Sequence, residues 1–291
     1  MVKLKDLPVG ELETMAAAGG RVLECYRVLA KSGSNVVAEV LHGHGTFYEF
    51  DHYPPGDVHD PDTHAQYYYH SHREGEHGHF HAFLREKGMP GDCRPVEQSE
   101  APFMKERDDT LSHLIAISMN RAGFPIGLFT TNRWITADNW YTADDVIRML
   151  DRFDMDLAWP SWPVNIWITS MVRLFRPQIE ELVRERDAVV ADWQKKHPRR
   201  DAFEDRKCDI TSVRRISVAA QIKWINTALE SAYARPADRK GSGRKVRGGG
   251  AEGAGANKAR GTVADVPGAA ANEIDLDRRT VETRSVKSTR A

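Results

Sequence analysis

Two periodicities divide this chain. Between about residues 35 and 134, apolar and polar positions alternate in short runs separated by Gly, Pro, Asn and Asp, the pattern of half-buried strands. Beyond Thr142, apolar residues recur at three- and four-residue intervals, as on amphipathic helices. Strands are read at Asn35–Leu41 and Thr46–Tyr53, on either side of the glycine-rich turn His42-Gly-His-Gly45, and at Thr110–Met119 and Ile126–Trp134. Pro54–His64 and Gly88–Pro102 read as loops. A helix is expected over Glu11–Lys31, and another over Ala143–Phe153, opened by the capping pair Thr142-x-x-Asp145. Further helices follow over Pro163–Phe175, after Pro177 with Ile179, Leu182, Val183, Val190 and Trp193 on one face, and over Val218–Ala232. Trp159, Trp162 and Trp167 read as core residues. Strands followed by helices predict an α+β fold: an antiparallel β-sheet with a His-rich hairpin, covered by C-terminal helices.

The hairpin is the most informative segment. Gln66–Leu84 is rich in Tyr, Phe and His, lacks Pro, and is interrupted only by Arg73-Glu-Gly-Glu76. With Glu74-Gly75 as a two-residue loop, Arg73 faces Glu76, His72 faces His77, His70 faces His79 and Tyr68 faces His81. Side chains alternate along a strand, so these histidines share one face, while Tyr67, Tyr69, Phe80 and Ala82 share the other. A one-residue change of register would split the ladder between the faces.

Ten of the 12 histidines fall between His42 and His81, and imidazole is the commonest protein ligand for transition metals. Opposed residues have Cβ atoms about 5 Å apart, which lets three rings reach one ion with metal–nitrogen bonds of about 2.0–2.1 Å. A divalent metal, Zn or Fe, is therefore expected on His70, His72 and His79, with His77 and His81 as substitutes or supporting groups. Glu76, or an Asp from the Pro54–His64 loop, is the candidate carboxylate, as ligand or general base. That loop holds Asp57, His59, Asp60, Asp62 and His64. His113 reads as a lone core or rim histidine, and His42 and His44 as turn residues. The chemistries left open are metal-dependent hydrolysis and non-haem iron oxidation of an unknown small molecule. The alternatives are a non-catalytic ligand- or partner-binding module, or a pH-responsive structural protein.

Composition narrows the classes. Pro236–Ala291 holds one Ile, one Leu, no aromatic residue and many Gly and Ala, too little apolar surface to offset chain entropy. Residues 1–235 thus read as a single α+β domain, and 236–291 as a disordered basic tail of net charge +5 against −6 for the rest. An acidic body without a helix-turn-helix or RNA-recognition motif argues against nucleic acid. Cys25, Cys93 and Cys208 are far apart and form no Cys-x-x-Cys, which excludes a disulfide framework. No long uncharged apolar run suggests a membrane span, and the first residues lack the apolar core of a signal peptide; a cytoplasmic protein is expected. No phosphate-binding loop, nucleophile elbow or His-Glu-x-x-His is present.

The run Tyr67-Tyr-Tyr-His-Ser-His-Arg-Glu-Gly-Glu-His-Gly-His-Phe-His-Ala-Phe-Leu84 resembles the signature of an uncharacterised bacterial family, catalogued as a domain of unknown function. That similarity covers about Gly10–Ala232; it implies a single domain and supplies no activity. His70-x-His72-x-x-x-Glu76 is also similar to the first metal motif of cupins, and Pro125-Ile-Gly127 to part of their second. Thr130 stands where the last cupin histidine would be. The cupin likeness implies an oxygenase or isomerase.

Overall fold

A computed structural model describes residues 6–96 and 110–234. The proposed tail, 236–291, lies outside the described residues.

Six strands form one open antiparallel sheet in chain order: β1 (Tyr53–His59), β2 (Ala65–His70), β3 (Gly78–Arg85), β4 (Leu111–Met119), β5 (Pro125–Thr131) and β6 (Ile210–Arg215). The helices are α1 (Val9–Lys31), α2 (Val36–Leu41), α3 (Arg133–Thr136), α4 (Ala143–Leu150), α5 (Trp162–Leu174), α6 (Arg176–Lys196) and α7 (Val218–Ala234). The expected α+β class is the observed one. The open sheet, with edges β1 and β6, differs from the double-sheet jelly roll of cupins.

One sheet face, built from Tyr67, Tyr69, Phe80, Ala82, Ile115, Ile117 and Leu128, belongs to the main core with Trp167 and Ile168 of α5 and Ile179, Leu182 and Val183 of α6. Phe80 and Trp167 meet with ring centroids 5.3 Å apart. The buried Tyr67 hydroxyl donates to Asn165 Oδ1 at 2.7 Å, and the Asn165 amide donates to the carbonyls of Leu157 and Trp159. These bonds satisfy polar groups that would otherwise destabilise the core, and they tie the sheet to α5. Gly19 lets α1 approach α7: a Cβ there would lie 2.8 Å from Ile222 Cγ1.

The hairpin register is as expected, running from Ala65 opposite Leu84 to His70 opposite His79. Its loop is longer than expected. Strand pairing stops at His70 and His79, and residues 71–77 are irregular, with Gly75 at φ +85°. A β-bulge in β4 sets the other border. Ala82 pairs with Ile115 but Phe83 pairs with His113, so Leu114 is the extra residue. Without it, His113 would face the aromatic core; with it, His113 joins the face of His81.

Several local expectations are corrected. Asn35–Leu41 is not a strand: the Asn35 side chain accepts from the backbone N–H of Val37 and Ala38 and opens α2 instead. Burial of Val36, Val37 and Val40 at helical spacing overrides the strand preference of valine. Thr46–His52 is irregular, while the region read as a loop supplies β1. Pro54 and Pro55 are tolerated there because β1 is an edge strand. Strand β5 ends at Thr131, where Asn132 caps α3. Strand β6 was not anticipated. Of the three tryptophans, Trp167 is buried, but Trp159 and Trp162 are 54% and 59% exposed.

Gly78 is a sensitive position in the hairpin. A Cβ there would lie 2.5 Å from the Tyr69 hydroxyl and 2.6 Å from the His70 carbonyl oxygen. Gly78→Ala should therefore destabilise the fold by about 1–3 kcal/mol, the usual cost of overpacking. Urea denaturation should show an earlier midpoint with an unchanged slope; a wild-type midpoint would mean that Tyr69 moves aside freely.

Candidate metal centre

The centre begins where the hairpin ladder ends. His70, the last residue of β2, and His79, early in β3, are buried and opposite each other, with Nε2 atoms 2.7 Å apart. His72 projects from the loop to complete the group. The ligand nitrogens of these three residues lie within 4.8 Å of one another. Ring centroids are 4.7 Å apart for His70–His72, 4.4 Å for His70–His79 and 5.0 Å for His72–His79.

Glu76 fixes the orientation of His79. Its Oε1 makes a short hydrogen bond to His79 Nδ1, and its Oε2 lies 3.7 Å from Arg73 Nη1. Burial would push the Glu76 carboxyl up, but the hydrogen bond from His79, the Ser118 hydroxyl and the Arg73 charge outweigh this and hold it below the usual range. An ionised Glu76 accepts the Nδ1 proton and leaves His79 Nε2 as a lone pair facing His70. This carboxylate–histidine arrangement is the usual support of a metal-binding imidazole. In the absence of metal, His70 Nε2–H can donate to that lone pair. Tetrahedral coordination would separate the two nitrogens to roughly 3.3 Å, a movement of about half an ångström.

Burial keeps these rings neutral. His70 is driven down to about 2, by burial first and then by neighbouring His79, His72 and His52. His72 and His79 are lowered for the same leading reason. Neutral imidazole is the ligand form, so the pocket holds its donors ready near neutral pH.

The other expected residues have different positions. His77 leaves the ladder face: its Nδ1 lies 2.7 Å from the Tyr69 hydroxyl and its ring stacks on Phe47 at 5.5 Å, on the aromatic side. The reason is the irregular loop, which releases His77 from strand alternation. His81 stays on the ladder face, 4.8 Å from His79 between ring centroids, but its Nδ1 is bonded to His113 Nε2 at 2.9 Å. His113 is thus paired rather than alone. No loop Asp reaches the three histidines: buried Asp60 accepts from the backbone N–H groups of Asp62, Thr63 and Asp156. Thr130, at the cupin-like position, bonds to the hydroxyls of Thr211 and Ser212. Gly43 and Gly45 have φ of +82° and +74°, which accounts for the turn bearing His42 and His44.

His52 is the neighbour that the sequence did not reveal. Its ring stacks on Tyr68 at 3.6 Å and meets His70 edge-on at 5.5 Å. Its Nδ1 bonds to Asp57 Oδ1 at 2.9 Å; Asp57 Oδ2 accepts from Gln66, whose Oε1 accepts from Arg85. Only the fold brings this chain of groups beside the hairpin, because His52 lies in an irregular segment.

Residues 16–216 match a family described as Domain of unknown function (DUF6969). The chain belongs to that family. No curated protein and no solved structure matches it. No helix among the described residues is long and apolar enough to cross a membrane.

The buried histidines generate a pH prediction. His113 is driven down to about 3, by burial first and then by the Arg186 charge, and fully buried His81 is also well below its ordinary value. Their stabilising effect is complete above the unfolded value of about 6.5 and is lost as pH falls below it, because the unfolded chain then binds protons that the folded chain does not. Each such ring should cost about 1.4 kcal/mol per pH unit below about 6.5. Thermal melting of metal-free protein between pH 7.5 and 5.5 should show a marked fall, shallower in His113→Gln. A flat profile would mean that these rings take up protons without unfolding.

Proposed function

We propose that this DUF6969 protein binds one divalent transition metal, zinc or iron(II), through His70, His72 and His79. The observation that carries this reading is the pair of buried Nε2 atoms 2.7 Å apart, one of them on a ring whose other nitrogen is tied to Glu76. With His72 within 4.8 Å of both, these two buried rings form a three-nitrogen donor set that one ion could occupy once the proton between them leaves. The all-nitrogen, neutral donor set suits zinc and iron(II) alike.

Three protein ligands leave an open coordination position. When bound, the metal would supply Lewis acidity there, which supports metal-assisted hydrolysis or non-haem iron oxidation of a small molecule. Each residue has a definite part in this reading. His70 and His79 form the buried side of the site, and half-buried His72 closes it towards solvent. Glu76 is a positioning residue for His79 rather than a general base, since Oε1 is already engaged. His77 and His81 stay outside the ligand set, held by Tyr69 and His113. Cys25, Cys93 and Cys208 are free and buried, which suits a reducing compartment such as the cytoplasm.

Elemental analysis of protein purified without a His tag or nickel column should give about one metal ion per chain. In zinc titrations, His72→Ala should bind more than a hundredfold more weakly, and Glu76→Gln about ten- to a hundredfold more weakly, the usual cost of losing a supporting carboxylate. His197→Ala, with its ring on Trp193, should match the wild type. Equal zinc affinity in His72→Ala and wild type would rule this centre out.

A further inference from the structure

A cleft of about 750 Å³ opens beside the three histidines, and His72 belongs to both. That volume is within the usual range for small-molecule sites. It lies between the hairpin loop and the β4–β5 turn, with the stacked rings of Phe47 and His77 as one wall. Its polar lining includes two arginines, Arg73 and Arg121, whose settings differ from those of the other well-paired arginines.

Most of those other arginines are matched. Arg176 bonds to Asp151 and Glu180, Arg214 to Glu181 and Glu185, and Arg133 to Glu204. Arg73 has no such match. Its guanidinium carbon sits 4.2 Å over the Phe129 ring, which holds the group by a cation–π contact. Nη1 is buried and has no hydrogen-bond partner among the described residues. The nearest carboxylate oxygen, Glu76 Oε2 at 3.7 Å, is too far for a hydrogen bond. Arg121 is exposed at the β4–β5 turn and lines the cleft together with His77. Three carboxylates, Glu49, Glu74 and Glu76, share the cleft with the two arginines, yet none is hydrogen-bonded to Arg73 Nη1.

We propose that this cleft is the substrate site of the metal centre and receives a small molecule bearing a carboxylate or phosphate, held by Arg73 and Arg121 beside His72. This rests on the metal reading above for what lies next to the anion, but not for the anion site itself. Guanidinium groups match planar carboxylates and phosphates with paired, charge-assisted hydrogen bonds. An acceptor at Arg73 Nη1 would satisfy the buried donor that the protein leaves unpaired, an arrangement costly to keep without a ligand. Glu49 and Glu74 also line the cleft and are exposed. The size of the cleft fits a compact anion rather than nucleic acid.

Calorimetric titration with succinate and with inorganic phosphate, on zinc-loaded and metal-free protein, tests this and separates the two anion chemistries. Wild type should bind one of them saturably. Arg73→Ala and Arg121→Ala should each weaken that binding tenfold or more, Arg121→Lys less, and Arg215→Ala on β6 not at all. Zinc affinity, titrated separately, should stay within a few-fold of wild type in the arginine variants. If zinc fails to bind while the metal-free protein still shows arginine-dependent anion binding, the metal reading falls and the anion site stands. If neither anion binds wild type saturably, or if Arg121→Ala, at an exposed turn where folding is not at risk, binds as wild type does, the proposal is overturned.

Discussion

Everything at this centre follows from one constraint: a buried imidazole has two nitrogens, and each must find a partner or a purpose. A strand pair can place rings opposite one another, but it does not choose which nitrogen points where. On three of the rings the structure makes that choice with a bond to Nδ1. Glu76 takes Nδ1 of His79, His113 takes Nδ1 of His81, and Tyr69 takes Nδ1 of His77. The free nitrogens then have directions set by the fold, and among the described residues those of His70, His72 and His79 converge. Five similar residues in a 12-residue stretch thus have different roles because of their outer partners.

The sheet enforces this economy by being buried on both faces over β2, β3 and β4. On one face the aromatic residues pack against α5 and α6. On the other the histidines occupy positions that hydrophobic residues would normally fill, and the loss of hydration keeps them uncharged. The bulge at Leu114 is what makes the second face continuous. It moves His113 across the sheet to where its Nε2 bonds to His81 Nδ1.

Much of this was legible in the residues. The register of His70 against His79 follows from alternation around Glu74-Gly75, and so does the reverse face of Tyr69 and Phe80. The longer helices follow from their apolar spacing. What could not be read was set by distant contacts. His77 departs because pairing ends three residues before the turn that alternation assumed, and Tyr69 captures it. His113 depends on a bulge that has no signature in its own sequence. Asn35–Leu41 was read as a strand because Val dominates it, whereas the Asn35 cap and burial against the core decide for a helix. His52 was missed because its segment has no period at all, and Asp57, Gln66 and Arg85 become its support only after β1 pairs with β2.

An open sheet has two unpaired edges, and any chain with exposed edges risks adding a neighbour to them. At β1 the residues Pro54 and Pro55 remove two backbone donors in succession, and the irregular pairing between Tyr53 and Val58 interrupts the edge further. At β6, Arg215 adds a charged side chain to the other edge strand. The same prolines that hide β1 from a sequence reader also make it a poor template for the pairing of a further strand.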